Sequence, residues 1–243
     1  MATLQKTAFA SPLFEFRIGP KKKSFMINST TLSRISKPLD TMMNGDMIES
    51  RSNSADLEHV DEEIWELICQ YAYIGDYDVK TFRDLTRHPN QEILFNPKTA
   101  ETKRKNMWQR FKDATYTYLI PENPALQTVR VEKTVLRYHA EVYVFADQYG
   151  MLPLQNLALQ KLKRILEGLV IFPSLRTEIC ELVRFCYENT PSRPRDDKLR
   201  AHIAHYVACI FESLAPSKDF QEVTEEFGSF SRDLLMELQK RLK

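Results

Sequence analysis

Glycine and cysteine are scarce in this chain, and neither sign of charge predominates. Six glycines among 243 residues leave few loops to cradle a phosphate, and no Walker loop, dinucleotide fingerprint or G-x-S-x-G turn occurs. Four cysteines do not make a disulfide scaffold in a chain this long, which favours a reducing compartment. With 34 basic and 33 acidic residues the net charge is +1, which argues against a general binder of nucleic acid or anionic membranes.

Long apolar runs are also missing. The longest, such as 142–146, are too short to span a bilayer. Residues 1–16 are interrupted by Pro12 and Glu15 and contain no apolar segment typical of a signal peptide. The 43% of hydrophobic residues can nevertheless fill a core. We therefore expect a soluble protein of the cytoplasm or nucleus.

The first third of the chain carries signals for both strands and helices. Residues 13–28 alternate apolar and polar on either side of a Gly-Pro turn with three lysines, which predicts a β-hairpin. A weaker alternation predicts a strand over 54–60. A helix is expected over 61–73, with Asp61 as its N-cap and Gly75 as its stop. Two short helices are expected between hairpin and strand, one carrying Leu32 and Ile35 and ending before Pro38, the other around 39–43.

Residues 78–130 have a different character. Four prolines and a basic cluster at Lys103–Lys105 interrupt the periodicity. We interpret this stretch as a long surface insertion rather than a dedicated ligand groove. One amphipathic helix is predicted within it, with an apolar face formed by Met107, Trp108, Phe111 and Thr115.

Helical periodicity covers the rest of the chain. Apolar residues recur at helical spacing in separate stretches, and prolines fall between them. About five helices are predicted, over 135–149, 154–165, 179–187, 199–214 and 230–242. Strands and helices that are not arranged as βαβ repeats, followed by helices alone, predict an α+β fold with an all-helical C-terminal part.

Histidine and cysteine supply the only arrangement that resembles a metal site. His202, His205 and Cys209 share a helix face, but a tetrahedral zinc site needs a converging fourth ligand. The two histidines are therefore predicted to flank the apolar stripe. His139 is predicted to be a core or boundary residue, because the sequence offers no nucleophile for it to activate. We expect no catalytic residues, no cofactor, no metal and no small-molecule substrate.

Five segments, taken in order, resemble one known family. They are Phe25-Met26-Ile27-Asn28 with Thr31-Leu32 and Ser36, then Met42-Met43 through Glu49, then Ala55-Asp56-Leu57 with Val60-Asp61, then Tyr71–Tyr77, and finally HAEVYVFADQYGMLPLQNLALQKL at residues 139–162. In order and spacing these segments resemble the BTB/POZ domain. The last is similar to a group of BTB proteins abundant in fungi. Asn28 departs from the family, since many members have a histidine there.

The resemblance implies a domain organisation. A BTB/POZ-like domain of short strands and clustered helices would cover 13–168, interrupted by the insertion at 78–130. An N-terminal tail, 1–12, would precede it and a helical extension, 169–243, would follow. The family also implies a homodimer, although residues 1–12 are too few for the exchanged N-terminal helix and strand of many BTB dimers.

The resemblance further implies a non-enzymatic protein–protein interaction module. One branch of the family bridges proteins to cullin-type ubiquitin ligases, commonly through an apolar-x-Glu triplet in the loop before the third strand. Met47, Ile48 and Glu49 occupy that place. In this interpretation Met47 enters a pocket of a cullin scaffold and Glu49 accepts hydrogen bonds at its rim.

Two other functions stay open at this level. The chain would be a BTB scaffold in transcriptional or chromatin regulation if its basic insertion contacted a partner there. A DNA-binding member would normally bring zinc fingers or another basic domain, and neither pattern occurs. A more remote alternative is an enzyme built on the helical part.

Overall fold

The computed structural model describes residues 11–79, 92–97, 102–114, 135–191 and 197–240. Within these ranges the fold is mixed α/β and mostly helical, with one small sheet, in agreement with the expected α+β class. Contacts divide the chain into two compact units. Unit 1 comprises 1–79 and 141–155, and unit 2 comprises 80–140 and 156–243.

The predicted hairpin and third strand form the sheet of unit 1. Strand β1 (Leu13–Ile18) pairs antiparallel with β2 (Lys23–Asn28) and parallel with β3 (Ser54–Leu57), which gives the order β2-β1-β3. Gly19 and Lys22 adopt positive φ in the turn of the hairpin. Strand β3 is shorter than predicted, because the amide of Val60 turns back to donate to the carbonyl of Leu57.

The two faces of the sheet differ in chemistry. Phe14, Phe16 and Ile18 point into the core, as period-two alternation requires. The other face carries charge: Arg17 pairs with Asp56, and Lys22 lies 2.9 Å from both Asp56 and Glu58. Residues on the exposed face therefore compensate one another electrostatically.

Four helices complete residues 11–79, the described N-terminal part of unit 1. They are α1 (Ser29–Ser33), α2 (Lys37–Asn44), α3 (Ile48–Ser52) and α4 (Glu62–Ile74). Helix α1 ends before Pro38, as predicted, and Pro38 itself lies in the first turn of α2, where its missing N–H has no cost. Ser36 caps α2 by accepting from the amide of Leu39, and its hydroxyl donates to the carbonyl of Tyr149 at 2.7 Å.

Helix α4 begins and ends where the sequence predicts. The Asp61 carboxylate accepts from the amide of Glu63 at 2.9 Å, and Gly75 ends the helix at φ 77°. Both are local signals, an N-cap oxygen and a glycine in the left-handed region.

Aromatic rings connect the sheet of unit 1 to its helices. Trp65 on α4 is fully buried; its ring centroid lies 4.7 Å from Phe16 and 6.0 Å from Phe145. Phe14 lies 4.9 Å from Phe16, and Tyr149 stacks on Phe145 at 4.4 Å. This continuous aromatic cluster holds residues 141–155 in the same unit as the hairpin.

The remaining described residues are helical apart from short connections. The helices are α5 (Thr102–Asp113), α6 (Val135–Gln148), α7 (Leu152–Gly168), α8 (Leu175–Asn189), α9 (Lys198–Cys209), α10 (Phe211–Leu214), α11 (Lys218–Glu226) and α12 (Gly228–Gln239). Helices α6 and α7 contribute residues to both units. No helix in the described part of the chain combines the length and apolarity needed to cross a membrane.

The predicted number of C-terminal helices is too low. The stripe expected over 199–214 breaks at Ile210, which leaves the helical region and separates α9 from α10. Helix α11 was not predicted. It is capped by Ser217, whose hydroxyl accepts from the amide of Phe220, and it buries Phe220 and Val223.

The interpretation of 78–130 as a surface insertion is wrong for its described parts. The predicted helix exists as α5, but its apolar face packs inside unit 2, with Met107, Trp108 and Phe111 all buried. The Lys163 ammonium donates to the carbonyls of Lys112 and Ala114 and so caps the end of α5. Segments 80–91, 98–101 and 115–134, including Thr115, lie outside the described residues.

A buried arginine fixes the end of α8 in unit 2. The Arg200 guanidinium donates to the Thr190 hydroxyl at 2.7 Å and to the Tyr187 carbonyl at 2.9 Å, and it lies 4.5 Å from the centroid of the Tyr187 ring. These bonds satisfy carbonyls that a helix end leaves without partners. The start of α9 and the end of α8 therefore form one polar junction.

We expect Trp65→Ala to lower the free energy of unfolding by about 3–5 kcal/mol, because it empties the centre of the aromatic cluster. Ile74→Ala is the matched control on the same helix, and we expect it to change stability by no more than about 0.5 kcal/mol since Ile74 is exposed. Denaturant unfolding followed by circular dichroism measures both. Equal midpoints for wild type and Trp65→Ala would contradict the packing described.

Candidate protein-interaction surface

The triplet Met47-Ile48-Glu49 lies at the start of α3, not in a loop. The expected loop before the third strand is therefore wrong, since the chain forms a short helix here. Met47 is the N-cap residue and is 49% exposed, and Ile48 is 77% exposed. Glu49 is half-buried, and its Oε2 is buried without a hydrogen-bond partner among the described residues.

Short polar side chains hold α3 in place. The Ser50 hydroxyl donates to the carbonyl of Met47 at 2.8 Å, and that of Ser52 donates to the carbonyl of Ile48 at 3.0 Å. Asn53 ends the helix in the left-handed region, and its amide donates to the carbonyl of Leu13 at 2.7 Å. A helix of one turn is unstable alone, so these bonds fix the triplet to the start of β1.

Gly45 sets the approach to this helix. A Cβ at this position would lie 2.4 Å from the carbonyl oxygen of Thr41, which accepts the amide of Gly45 at the end of α2. A side chain would therefore open the end of α2 and move α3. This is the physical reason for a glycine before the triplet.

Further exposed apolar side chains lie at the same end of unit 1. Leu13 begins β1, Met26 is near the end of β2, and Tyr73 and Ile74 end α4. The Tyr73 hydroxyl donates to the side-chain oxygen of Asn28 at 3.2 Å, and Asn28 is the strand partner of Leu13. We call the set Leu13, Met26, Met47, Ile48, Tyr73 and Ile74 the apolar end.

Within the apolar end, only Met47 and Ile48 were predicted from the sequence as site residues. The sequence did not predict that Ile74 and Met26 are exposed, because an apolar residue at a helix end or in a strand is usually expected inside. The register is what turns Met26 outward, opposite Glu15 rather than opposite Phe16. Its exposure of 55% follows from that pairing.

The opposite end of unit 1 carries compensated charge. Lys22 contacts Asp56 and Glu58, and Lys23 lies 3.3 Å from Glu62 and 3.2 Å from Glu66. Hydrogen bonds to these carboxylates raise the pKa of both lysines. In the hairpin turn Lys22 and Lys23 are thus exposed to water and paired with carboxylates.

His139 is a core residue of unit 2, which agrees with the prediction, whereas His202 is buried rather than flanking the apolar stripe and His205 is half-buried. His202 is buried and stacks on Phe111 at 4.6 Å, and burial lowers its pKa to about 3. His205 lies 3.3 Å from the carbonyl oxygen of Met107, and burial lowers its pKa. His139 is also buried, which lowers its pKa to about 3. Across the described ranges, no three side chains of the metal-binding types come together.

Comparisons with known proteins do not place this chain. A scan against protein-family models found no match, and a search of curated proteins found no relative. The candidate surface is therefore supported by the chain's own residues.

The buried histidines make stability depend on pH. The folded-state pKa of His139 and of His202 lies below the unfolded value of 6.5. Their contribution to the free energy of unfolding is therefore fully present above pH 6.5 and is lost as pH falls towards 3. As pH falls from 6.5 to 5, each buried histidine that stays neutral should lower the free energy of unfolding by about 2 kcal/mol. Wild type should lose stability between pH 7 and pH 5, and we expect the loss of unfolding free energy in His202→Gln to be smaller by about 2 kcal/mol.

Denaturant titrations at the two pH values test this prediction. His59→Gln is the control, because His59 is exposed, and it should keep the wild-type difference. If His202→Gln also kept that difference, His202 would be protonated in the folded protein, contrary to its burial against Phe111.

Proposed function

We propose that this chain is a non-enzymatic BTB/POZ-like interaction module and an adaptor that brings a partner protein to a cullin-type ubiquitin ligase. The observation that carries the proposal is the exposed pair Met47 and Ile48, followed by Glu49, on a short helix fixed to the sheet. Two neighbouring apolar side chains in water, held in place, are typical of an anchor for another protein.

The BTB/POZ part of the proposal rests on sequence order and on the composition of unit 1. The segments that resemble the family fall mostly in 13–77 and 139–162, and unit 1 combines 1–79 with 141–155. A hairpin, a parallel third strand and a helix packed through Trp65 are compatible with short strands and clustered helices. Homodimerisation stays a prediction of the resemblance.

The chemistry of the triplet suits a partner with both an apolar pocket and a donor. Burying an exposed isoleucine or methionine side chain contributes about 1.5–3 kcal/mol. Glu49 is half-buried beside the two exposed apolar side chains, and its carboxylate can accept hydrogen bonds from a donor of the bound protein. Anchor and acceptor are adjacent in sequence, which fixes their spacing.

We also place this activity in the cytoplasm or nucleus. Burial raises the pKa of the Cys69 thiol to about 12 and that of Cys180 to about 11, so both stay protonated and unreactive at neutral pH. All four cysteines are free thiols. This use of cysteine as a small apolar residue is typical of proteins in reducing compartments.

The test is a titration of a purified cullin N-terminal domain against the full chain. We expect Met47→Ala and Glu49→Ala each to weaken binding by about thirtyfold, which corresponds to about 2 kcal/mol. Leu235→Ala is the matched control, since Leu235 is an exposed apolar residue on α12 in unit 2. Melting curves recorded in parallel should show every variant folded.

Two results would count against the proposal. If well-folded wild type did not bind at tens of micromolar, the adaptor role would be rejected. If wild type bound and neither triplet variant weakened binding relative to Leu235→Ala, the role would stand and the triplet would be rejected as its site.

A further inference from the structure

The end of helix α2 contains the one asparagine of the sequence that is followed by glycine. Asn44 is the last residue of α2, and Gly45 comes directly after it. Such a pair is chemically labile, because the main-chain nitrogen of the second residue can attack the side-chain amide carbon of the first. Glycine has no Cβ to hinder that attack. Asn44 is exposed, so water has access to the same atoms.

The side-chain amide of Asn44 donates both of its hydrogens within the protein. One bond goes to the Ser33 hydroxyl at the end of α1 and the other to the Asp40 carboxylate one turn earlier, each at 2.9 Å. The Ser33 hydroxyl donates its own hydrogen to the carbonyl of Ser29 at 2.8 Å. The surroundings therefore suit an amide at position 44, since a carboxylate has no hydrogen to donate to either acceptor.

The main chain at Gly45 is held as well. Its amide donates to the carbonyl of Thr41 at 2.9 Å and closes the last turn of α2. Attack on Asn44 requires this nitrogen to be released and the Asn44 side chain to leave Ser33 and Asp40. Helix ends open locally at a lower free energy than cores, so the reaction needs only a local opening.

The chemistry is an internal cyclisation followed by hydrolysis. The Gly45 nitrogen loses its proton and bonds to Cγ of Asn44, while the bond from Cγ to the side-chain nitrogen breaks and ammonia leaves with that proton. Water then opens the cyclic imide at either carbonyl. The product is aspartate or isoaspartate, in which the main chain runs through the former side chain. Water is consumed, ammonia is released, and nothing is oxidised or reduced.

The carboxylate of the product fits this position poorly. It lies at the C-terminal end of α2, where the helix dipole disfavours negative charge, and one turn after Asp40, where like charges repel. Lys37 is paired with Asp40 at 2.9 Å, and this exposed ion pair offsets only part of the repulsion. The two hydrogen bonds of the Asn44 amide are lost at the same time.

The effect of the reaction extends to helix α3. Isoaspartate lengthens the main chain before Gly45, and either product loosens the last turn of α2. The carbonyl of Gly45 accepts the hydroxyl of Ser50 on α3. A shift at Gly45 is therefore passed to the short helix that begins at Ile48.

We propose that Asn44 is a site of spontaneous deamidation, that the reaction proceeds through opening of the last turn of α2, and that its product loosens α3. The inference goes beyond the proposed function and does not rest on it. Each opening that leads to reaction leaves a permanent covalent record in the chain.

Peptide mapping by mass spectrometry measures the reaction in the full chain, incubated folded and in denaturant at the same neutral pH. We expect Asn44 to convert in both, about ten to a thousand times more slowly when folded. Asn156, which precedes the bulky Leu157, is the internal reference and should stay intact in both. The proposal is overturned if Asn44 converts equally fast in both states, or if its ratio of rates exceeds this range.

Variants test whether the observed bonds control the reaction. Ser33→Ala and Asp40→Ala each remove one acceptor of the Asn44 amide, and each should speed conversion of the folded protein by about three- to tenfold. Lys37→Ala is the matched control, because it removes the ion pair with Asp40 and keeps both bonds of Asn44. All rates are divided by the rate of the same variant in denaturant. If both acceptor variants convert at the Lys37→Ala rate, control by these bonds is rejected.

Hydrogen–deuterium exchange tests the consequence for α3. Asn44→Asp carries the carboxylate of the product, and its amides in 45–52 should exchange about threefold faster than those of wild type or more, while α4 exchanges as before. Wild-type exchange in 45–52 would overturn the link to α3. None of these measurements uses a partner protein, so their outcome is independent of the cullin titration.

Discussion

The contact of Trp65 with Phe16 and Phe145 is the interaction on which unit 1 depends. A small sheet of three strands, the longest of six residues, buries its apolar face only if another element packs on it. Trp65 supplies that packing, and Phe145 brings in residues distant in sequence. The indole N–H is buried without a partner among the described residues, so aromatic packing must outweigh that cost.

The packing of this core also decides which apolar side chains remain exposed. Inward side chains of β1 and α4 are used by the core, so the helix and strand ends hold the apolar residues that contact water. At the hairpin tip, ion pairs of Lys22 and Lys23 compensate the charge. At the other end Ile48 and Ile74 are exposed apolar side chains. Unit 1 thus has one end whose charges are paired within the protein and another whose exposed apolar side chains suit a partner protein.

Sequence reasoning succeeded where the signal is local and failed where it is not. Asp61, Gly75 and the hairpin turn act within a few residues, and each is where the pattern predicts. Helix α3 was missed because serines and an asparagine, which also typify loops, hold it together. The burial of Trp108 was missed because its neighbour Tyr206 lies about a hundred positions away in the chain. The exposure of Met26 needed the strand register.

The central claim is that residues 141–155 and the N-terminal sheet fold as one cooperative unit through Trp65. Hydrogen–deuterium exchange of the full chain, wild type against Phe145→Ala, tests it most directly, since amides of one cooperative unit lose protection together. The account predicts faster exchange in β1 and α4 as well as in 141–149. Faster exchange confined to 141–149, with β1 and α4 protected as in wild type, would contradict it.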